Sequence, residues 1–190
     1  MSEMIIVAGT PLEYSEGLGS INPFEQKILA KMQSSPYLYR YSKPEQLTFE
    51  LKLRDRIVQA SADLYHSGVS YAVFEQSTCN PAYWTLTPQG GFLLKPHIPS
   101  SRAIRDIFIN GPFYAFECAT AMVIVLYKAL LDVFGDETFN KLFDNLLLWA
   151  WEYDQDLGLK TEHRDDFLPG DIVYFKNPDV SPATPEFQGE

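Results

Sequence analysis

The stretch "NGPFYAFECATAMVIVLYKALLDVF", Asn110 to Phe134, constrains the fold more than any other part of the chain. After Cys118 a long, largely apolar helix pattern follows, and such a helix has to bury most of its surface. The longest apolar run, around Met122 to Leu126, is broken by Tyr127 and Lys128, well short of a membrane span. The segment therefore reads as the central buried helix of a globular domain. Upstream, Gly111-Pro112 permits a helix start shortly afterwards, which puts Cys118 in the first turn or two.

That position leaves two readings of Cys118 open. A cysteine in an apolar helix is ordinarily core filler. At the open end of a helix, unpaired N–H groups and the positive end of the dipole instead favour thiolate, and the same groups can receive an oxyanion. Glu117 acts in the opposite sense, since a neighbouring carboxylate disfavours thiolate. A nucleophile also needs a partner. His66, His97 and His163 are the three histidines, and each reads as a surface or loop residue. His163, in "TEHRDD" ahead of Pro169-Gly170-Asp171, is the best placed of them.

The 190 residues suffice for one domain with a real core. Fifteen basic against 25 acidic residues give a net charge of -10, which repels phosphate backbones and anionic lipid, so neither nucleic acid nor a membrane is an expected partner. The N-terminus lacks a basic region and a long apolar run, so a cytosolic site of synthesis is expected. Cys79 and Cys118 form no disulfide framework and should both be free thiols. Zinc-ligand spacings, phosphate loops and dinucleotide glycine signatures are absent from the sequence, and no signal of oligomeric state is present.

Local patterns give a coarse map. "NPFEQKILAKMQSS" reads as a short helix capped by Asn22, with Pro23 at its first position. A longer helix runs from a Ser42 cap through Pro44 and Glu45 to Gly68, with Leu47, Leu51, Val58 and Leu64 on its buried face. "SYAVFEQ", "AYWTLTP" and "GGFLLKP" read as three strands of an antiparallel meander. "SSRAIRDIF" is a short helix, and a further one starts at an Asp136 cap in "GDETFNKLFDNLLLW". "LLLWAWEY" fits a helix end or a strand equally well. Pro169-Gly170-Asp171 reads as a turn before a short strand, Ile172 to Phe175. Residues 177–190, with Pro178, Pro182 and Pro185, read as an extended Pro-rich tail.

"IRDIFINGPFYAFECATAMVIVLYKALLDVFG" followed by "PGDIVYFKNPD" resembles the protein-glutamine gamma-glutamyltransferases (transglutaminases) of spore-forming bacilli. The resemblance runs from the Met4 to Ala8 strand to the last residue and includes "FELKLRDRIVQAS" and "SSRAIRDI". "PGDIVYF" is also similar to the Gly-Asp strand of NlpC-type cysteine peptidases. The resemblance implies a single α+β domain over residues 1–190, of papain-like, NlpC-related type. Its nucleophile would stand at the N-terminal end of a central buried helix packed on an antiparallel sheet. Cys118 matches the family nucleophile within "FECAT". Glu117 matches the glutamate before it, and Glu190, in "QGE", matches a second family glutamate. Family members continue beyond that glutamate into strands bearing a catalytic-site histidine, which none of the three histidines here matches. The chain is thus expected to be shortened at its C-terminus and a poor enzyme.

The activity implied is acyl transfer from a glutamine carboxamide to a lysine amine through a Cys118 thioester, with no metal or cofactor. Glu190 or Glu117 would serve as base. The implied setting is the mother-cell cytoplasm and then the spore coat, with coat proteins as substrates. Trp84, Trp149, Trp151, Phe113, Tyr114 and Phe116 are candidates to line an apolar passage to the thioester, each also readable as a core aromatic. An NlpC-type cysteine peptidase or amidase and a catalytically silent structural component of a spore layer are the alternative readings.

Overall fold

Local capping chemistry sets the first helix. Asn22 Oδ1 accepts from the Phe24 and Glu25 amides, both at 2.9 Å, and the Glu25 carboxylate accepts from the Asn22 amide at 2.8 Å. This reciprocal box satisfies donors that a helix start leaves free. The computed structural model describes residues 4–12, 18–151, 157 and 159–173. Its elements are β1 (Ile5–Val7), β2 (Thr10–Pro11), α1 (Pro23–Ser34), β3 (Tyr39–Tyr41), α2 (Pro44–His66), β4 (Ser70–Tyr71), β5 (Trp84–Leu86) and β6 (Phe92–Leu94). They continue with α3 (Ser100–Ile109), β7 (Ala115–Phe116), α4 (Cys118–Phe134), α5 (Asp136–Leu142) and β8 (Leu147–Leu148), giving a mixed α+β fold with small sheets.

The long helix α2 lies between two apolar clusters. Leu47 and Leu51 face α1 and β1, joining Ile5, Ile28 and Met32. Phe49, Leu53, Ile57, Ala60 and Leu64 lie on the opposite side and pack in the larger cluster with α4, as the helical period requires. Val58, expected inside, is instead 37% exposed. It continues the Leu47 side past the end of the smaller cluster and, among the described residues, belongs to neither cluster. The cap of α2 is Lys43 rather than Ser42. The Gln46 side chain folds back to accept from the Ser42 amide at 2.7 Å and the Lys43 amide at 3.3 Å, tying the approach to the helix to its first turn.

The expected three-strand meander is corrected. Only β5 and β6 form the antiparallel hairpin, and the third strand of that sheet is β8, which settles "LLLWAWEY" as beginning with a strand. β4 pairs parallel with β7, and Phe74–Gln76 is a 3-10 turn. A bond between distant segments carries no local period, so the sequence pattern alone misplaces this strand. Gly90 explains part of the geometry. Its φ is +85°, and a Cβ there would lie 2.0 Å from the Phe74 carbonyl oxygen, so the hairpin can close over that turn only with glycine.

α4 is the interior element, with Val123, Ile124, Ala129 and Leu131 wholly buried. Each larger aliphatic side chain so buried contributes about 1.5–3 kcal/mol of transfer free energy. Its main neighbour is α2, with α3, α5 and β8 completing its surroundings. α5 is shorter than expected and its cap is Gly135, not Asp136. Asp136 instead takes a bidentate ion pair from Arg105 of α3. The Pro169-Gly170-Asp171 turn is present: the Leu168 amide donates to Asp171 Oδ2 at 2.9 Å, and the Asp171 amide donates to the Leu168 carbonyl at 3.0 Å. Arg54 fastens it to α2, its Nη1 donating to Asp171 Oδ1 at 2.6 Å and to the Pro169 carbonyl at 3.2 Å. Ile172 and Val173 are not in a strand. Tyr174 and Phe175, the 177–190 tail and Glu190 lie outside the described residues.

Candidate active site

The path into α4 is built by backbone pairing. The Ser70 amide donates to the Tyr114 carbonyl at 3.0 Å and the Ala72 amide to the Phe116 carbonyl at 3.1 Å, while Thr78 and Ala115 exchange two bonds on the other side. β7 is therefore held along both edges. At Glu117 the chain is still extended (φ -82°, ψ 160°), and at Cys118 it enters the helix. Cys118 is thus the first residue of α4, in keeping with the Gly111-Pro112 break. It is exposed, so the core-filler reading does not describe it. Gly111 makes the close approach possible, since a Cβ there would meet the Ser67 carbonyl oxygen at 2.1 Å.

Glu117 caps the helix and contacts the thiol with the same carboxylate. Oε2 accepts from the Ala119 amide at 2.8 Å, and Oε1 accepts from the Cys118 thiol at 2.7 Å. A helix start by itself would favour thiolate and a neighbouring carboxylate would oppose it, and here the opposing influence prevails. Partial burial, followed by the bond to and charge of Glu117, pushes the Cys118 thiol up to about 11, while the Ala119 and Cys118 amides pull the other way. The positive end of the helix is already occupied by a carboxylate, so a second negative charge on sulfur is opposed. One of the amides at the helix start, that of Ala119, is likewise taken.

Chemically, the arrangement is a protonated thiol with its proton acceptor in place. Proton transfer from Sγ to Oε1 produces a nucleophile without relying on a standing population of thiolate. Thr120, two residues on, accepts from the Ala150 amide at 3.0 Å, which draws the end of the β8 segment against the first turn of α4. The sequence does not announce that contact, because "LLLWAWEY" has no decisive period.

The other candidates are scattered. His66, His97 and His163 are all exposed, and among the described residues none is a hydrogen-bond partner of Cys118. Trp84, Tyr114 and Phe116 are core aromatics, corrected from possible passage lining; Phe92 packs near all three rings. Phe113 and Trp151 are exposed, at 59% and 49%. Trp149 is half-buried against Phe74, with ring centroids 6.1 Å apart. Among the described residues, no group of three or more His, Cys, Asp or Glu side chains could hold a metal ion, and no helix is long and apolar enough to cross a membrane.

The model of the family Protein-glutamine gamma-glutamyltransferase matches residues 4–190. The chain belongs to this family. It is 49% identical over 189 residues to the protein-glutamine gamma-glutamyltransferase of Bacillus cereus (strain B4264), covering 98% of this chain and 68% of the relative. The enzyme of that name from Bacillus anthracis (strain A0248) matches at the same identity and coverage. A solved transglutaminase from Geobacillus stearothermophilus, without C-terminal extension, superposes with a TM-score of 0.72 at 54% identity, covering 77% of this chain and 70% of that one. Membership makes the chain an acyltransferase of transglutaminase type, acting on proteins.

Proposed function

We propose that Cys118 is the nucleophile of this transglutaminase and that Glu117 moves its protons. The observation that supports this reading is the 2.7 Å bond from an exposed thiol at a helix start to a carboxylate. In the first half-reaction Sγ attacks the carboxamide carbon of a protein-bound glutamine. The thiol proton passes to Glu117 and on to the leaving nitrogen, the C–N bond breaks, ammonia departs and a thioester remains. In the second, a lysine Nζ attacks the thioester, its proton goes to the carboxylate, and the C–S bond breaks to restore the thiol. A free lysine has a pKa of about 10.4, so only about one amine in a thousand is neutral near pH 7.5. A base beside the thioester is therefore valuable.

The resemblance assigns Glu190 as a second carboxylate for this step. It also points to a papain-like, NlpC-related arrangement, to the mother-cell cytoplasm and spore coat as the setting, and to coat proteins as substrates. Product mass from a glutamine peptide with excess primary amine tests the chemistry. An amine adduct that disappears in Cys118→Ala is the expected result. A cleaved or merely deamidated peptide in the presence of amine would favour a hydrolase, and an adduct retained by Cys118→Ala would remove the thiol from the reaction.

A further inference from the structure

Asp106 of α3 is 4% exposed, and among the described residues no arginine or lysine forms an ion pair with it. A buried carboxylate in that setting is costly unless donors surround it. Three do: Tyr114 Oη at 2.5 Å and Asn80 Nδ2 at 2.8 Å donate to Oδ2, and Asn110 Nδ2 at 2.6 Å donates to Oδ1. Tyr114 Oη in turn accepts from Trp84 Nε1 at 3.2 Å. Burial, then the Asp106 bond and charge, raise the Tyr114 phenol well above its ordinary value, so it remains the donor. The cluster thus joins α3, the loop before β5, β5 itself and the residue immediately preceding β7. Nothing in the acyl-transfer steps uses it.

Its placement relative to the thiol suggests a use. From Tyr114 the chain runs through the two residues of β7 to Glu117 and Cys118. The backbone bonds from Ser70, Ala72 and Thr78 fix that segment laterally, whereas the Tyr114 side chain is anchored to a buried charge on a different element. α4 fixes the other end. We infer that Asp106 and Tyr114 are positioning residues, a buried clasp that sets the register of β7 and thereby holds the Glu117 carboxylate against the Cys118 thiol. The inference rests on the reading of Cys118 as nucleophile and Glu117 as its proton acceptor.

The charged group set against the sulfur is Glu117, opposed by the amides of Ala119 and Cys118. Loosening the clasp should therefore move two quantities in opposite directions. Tyr114→Phe keeps the ring and removes the donor. At matched folded concentration it should lower kcat for amine incorporation by about 10–100-fold, the scale of a small misplacement of catalytic groups, with KM within about twofold. At the same time, the pH profile of Cys118 alkylation should shift to lower pH, because the carboxylate no longer opposes thiolate, so labelling near pH 8 becomes faster. Asp106→Asn, whose side-chain oxygen can still accept from Tyr114, should retain much of both properties at matched folded concentration. A Tyr114→Phe enzyme with reduced stability but unchanged kcat and an unchanged alkylation profile would overturn the clasp, as would a fall in kcat with no shift in that profile. Cys118→Ala run alongside separates the two ideas: retained activity there defeats the nucleophile assignment itself, whereas loss there with an unmoved Tyr114→Phe defeats the clasp alone.

Discussion

Cys79 and Cys118 sit in contrasting parts of the molecule, yet both thiols are pushed up to about 11. Cys79 follows the Thr78 bridge to β7, half-buried against the main apolar cluster. Burial raises it, and Lys95 acts the other way. Cys118 stands exposed at the start of α4, where partial burial and a carboxylate raise it together. The difference between the two lies in what can happen to the proton. At Cys79 no proton acceptor is bonded to sulfur among the described residues, so ionisation leaves an unsupported charge. At Cys118 the group that opposes thiolate is also the one that can accept its proton during attack. A depressed thiol pKa is one route to a reactive cysteine, and a positioned base is another.

The largest test of that contrast is replacement. Cys118→Ala should reduce amine incorporation into a glutamine-rich protein by at least about 10³-fold, as removal of a covalent nucleophile does. Cys79→Ala should remain within about twofold at matched folded concentration. Comparable losses in the two would erase the distinction.

Glu117→Gln comes next and should uncouple ionisation from catalysis. Amine transfer should fall by about 10²-fold or more, the usual scale for a general base, and more than ammonia release does. Alkylation of Cys118 at pH 8 should meanwhile rise, because removing the carboxylate lets the thiol fall from about 11 toward its ordinary value of about 8.5. Reduced stability with neither ammonia release nor amine transfer slowed at matched folded concentration would assign Glu117 to capping only.

In the unmodified protein, iodoacetamide labelling between pH 7 and 9 should favour Cys118 over Cys79 by about tenfold through access rather than ionisation. Both rates should climb about tenfold per pH unit, since both thiols titrate near 11 and the thiolate fraction below that rises with each unit. Faster labelling of Cys79, read by peptide mass, would show that exposure does not govern the pair.

The smallest effect expected is at Lys95. Its charge is the one influence drawing the Cys79 thiol down. Lys95→Met should therefore raise that thiol further and slow its labelling by no more than about threefold, as suits one screened charge on a partly exposed group. Cys118 should not respond; a response there would mean that the two regions are coupled.

Part of this arrangement is legible in the order of residues alone. The Asn22 cap and Pro23 start of α1 are encoded in neighbouring positions and form as expected, with Glu25 closing a reciprocal box. The largely apolar pattern after Cys118 calls for a buried helix, and the Gly111-Pro112 break allows it to open shortly afterwards. The long helix is visible too, but its period misplaces Val58 because α2 serves two clusters on opposite sides, and the smaller one reaches only part of its length. The β4–β7 pair escapes a reading of the sequence for a related reason. Its partners, Ser70 with Ala115 and Tyr71 with Phe116, are far apart in the chain. Two-residue strands also carry too little alternation to declare themselves.

By itself, the sequence determined that Cys118 lies in the first turn or two of a buried helix, that Glu117 precedes it, and to which family the whole pattern is similar. Those properties depend on local periodicity, on turn chemistry and on the order of residues. The tertiary structure decided the state of the site. Adjacency in sequence does not say where the Glu117 side chain points. Backbone pairing of β7 on both edges and the capping bond to Ala119 decide that, bringing one oxygen to 2.7 Å from the thiol. A lone helix start would favour thiolate, whereas this capped one keeps the proton on sulfur and holds its acceptor ready. The physical reason is that electrostatic free energies depend on distances and on excluded water, and packing fixes both.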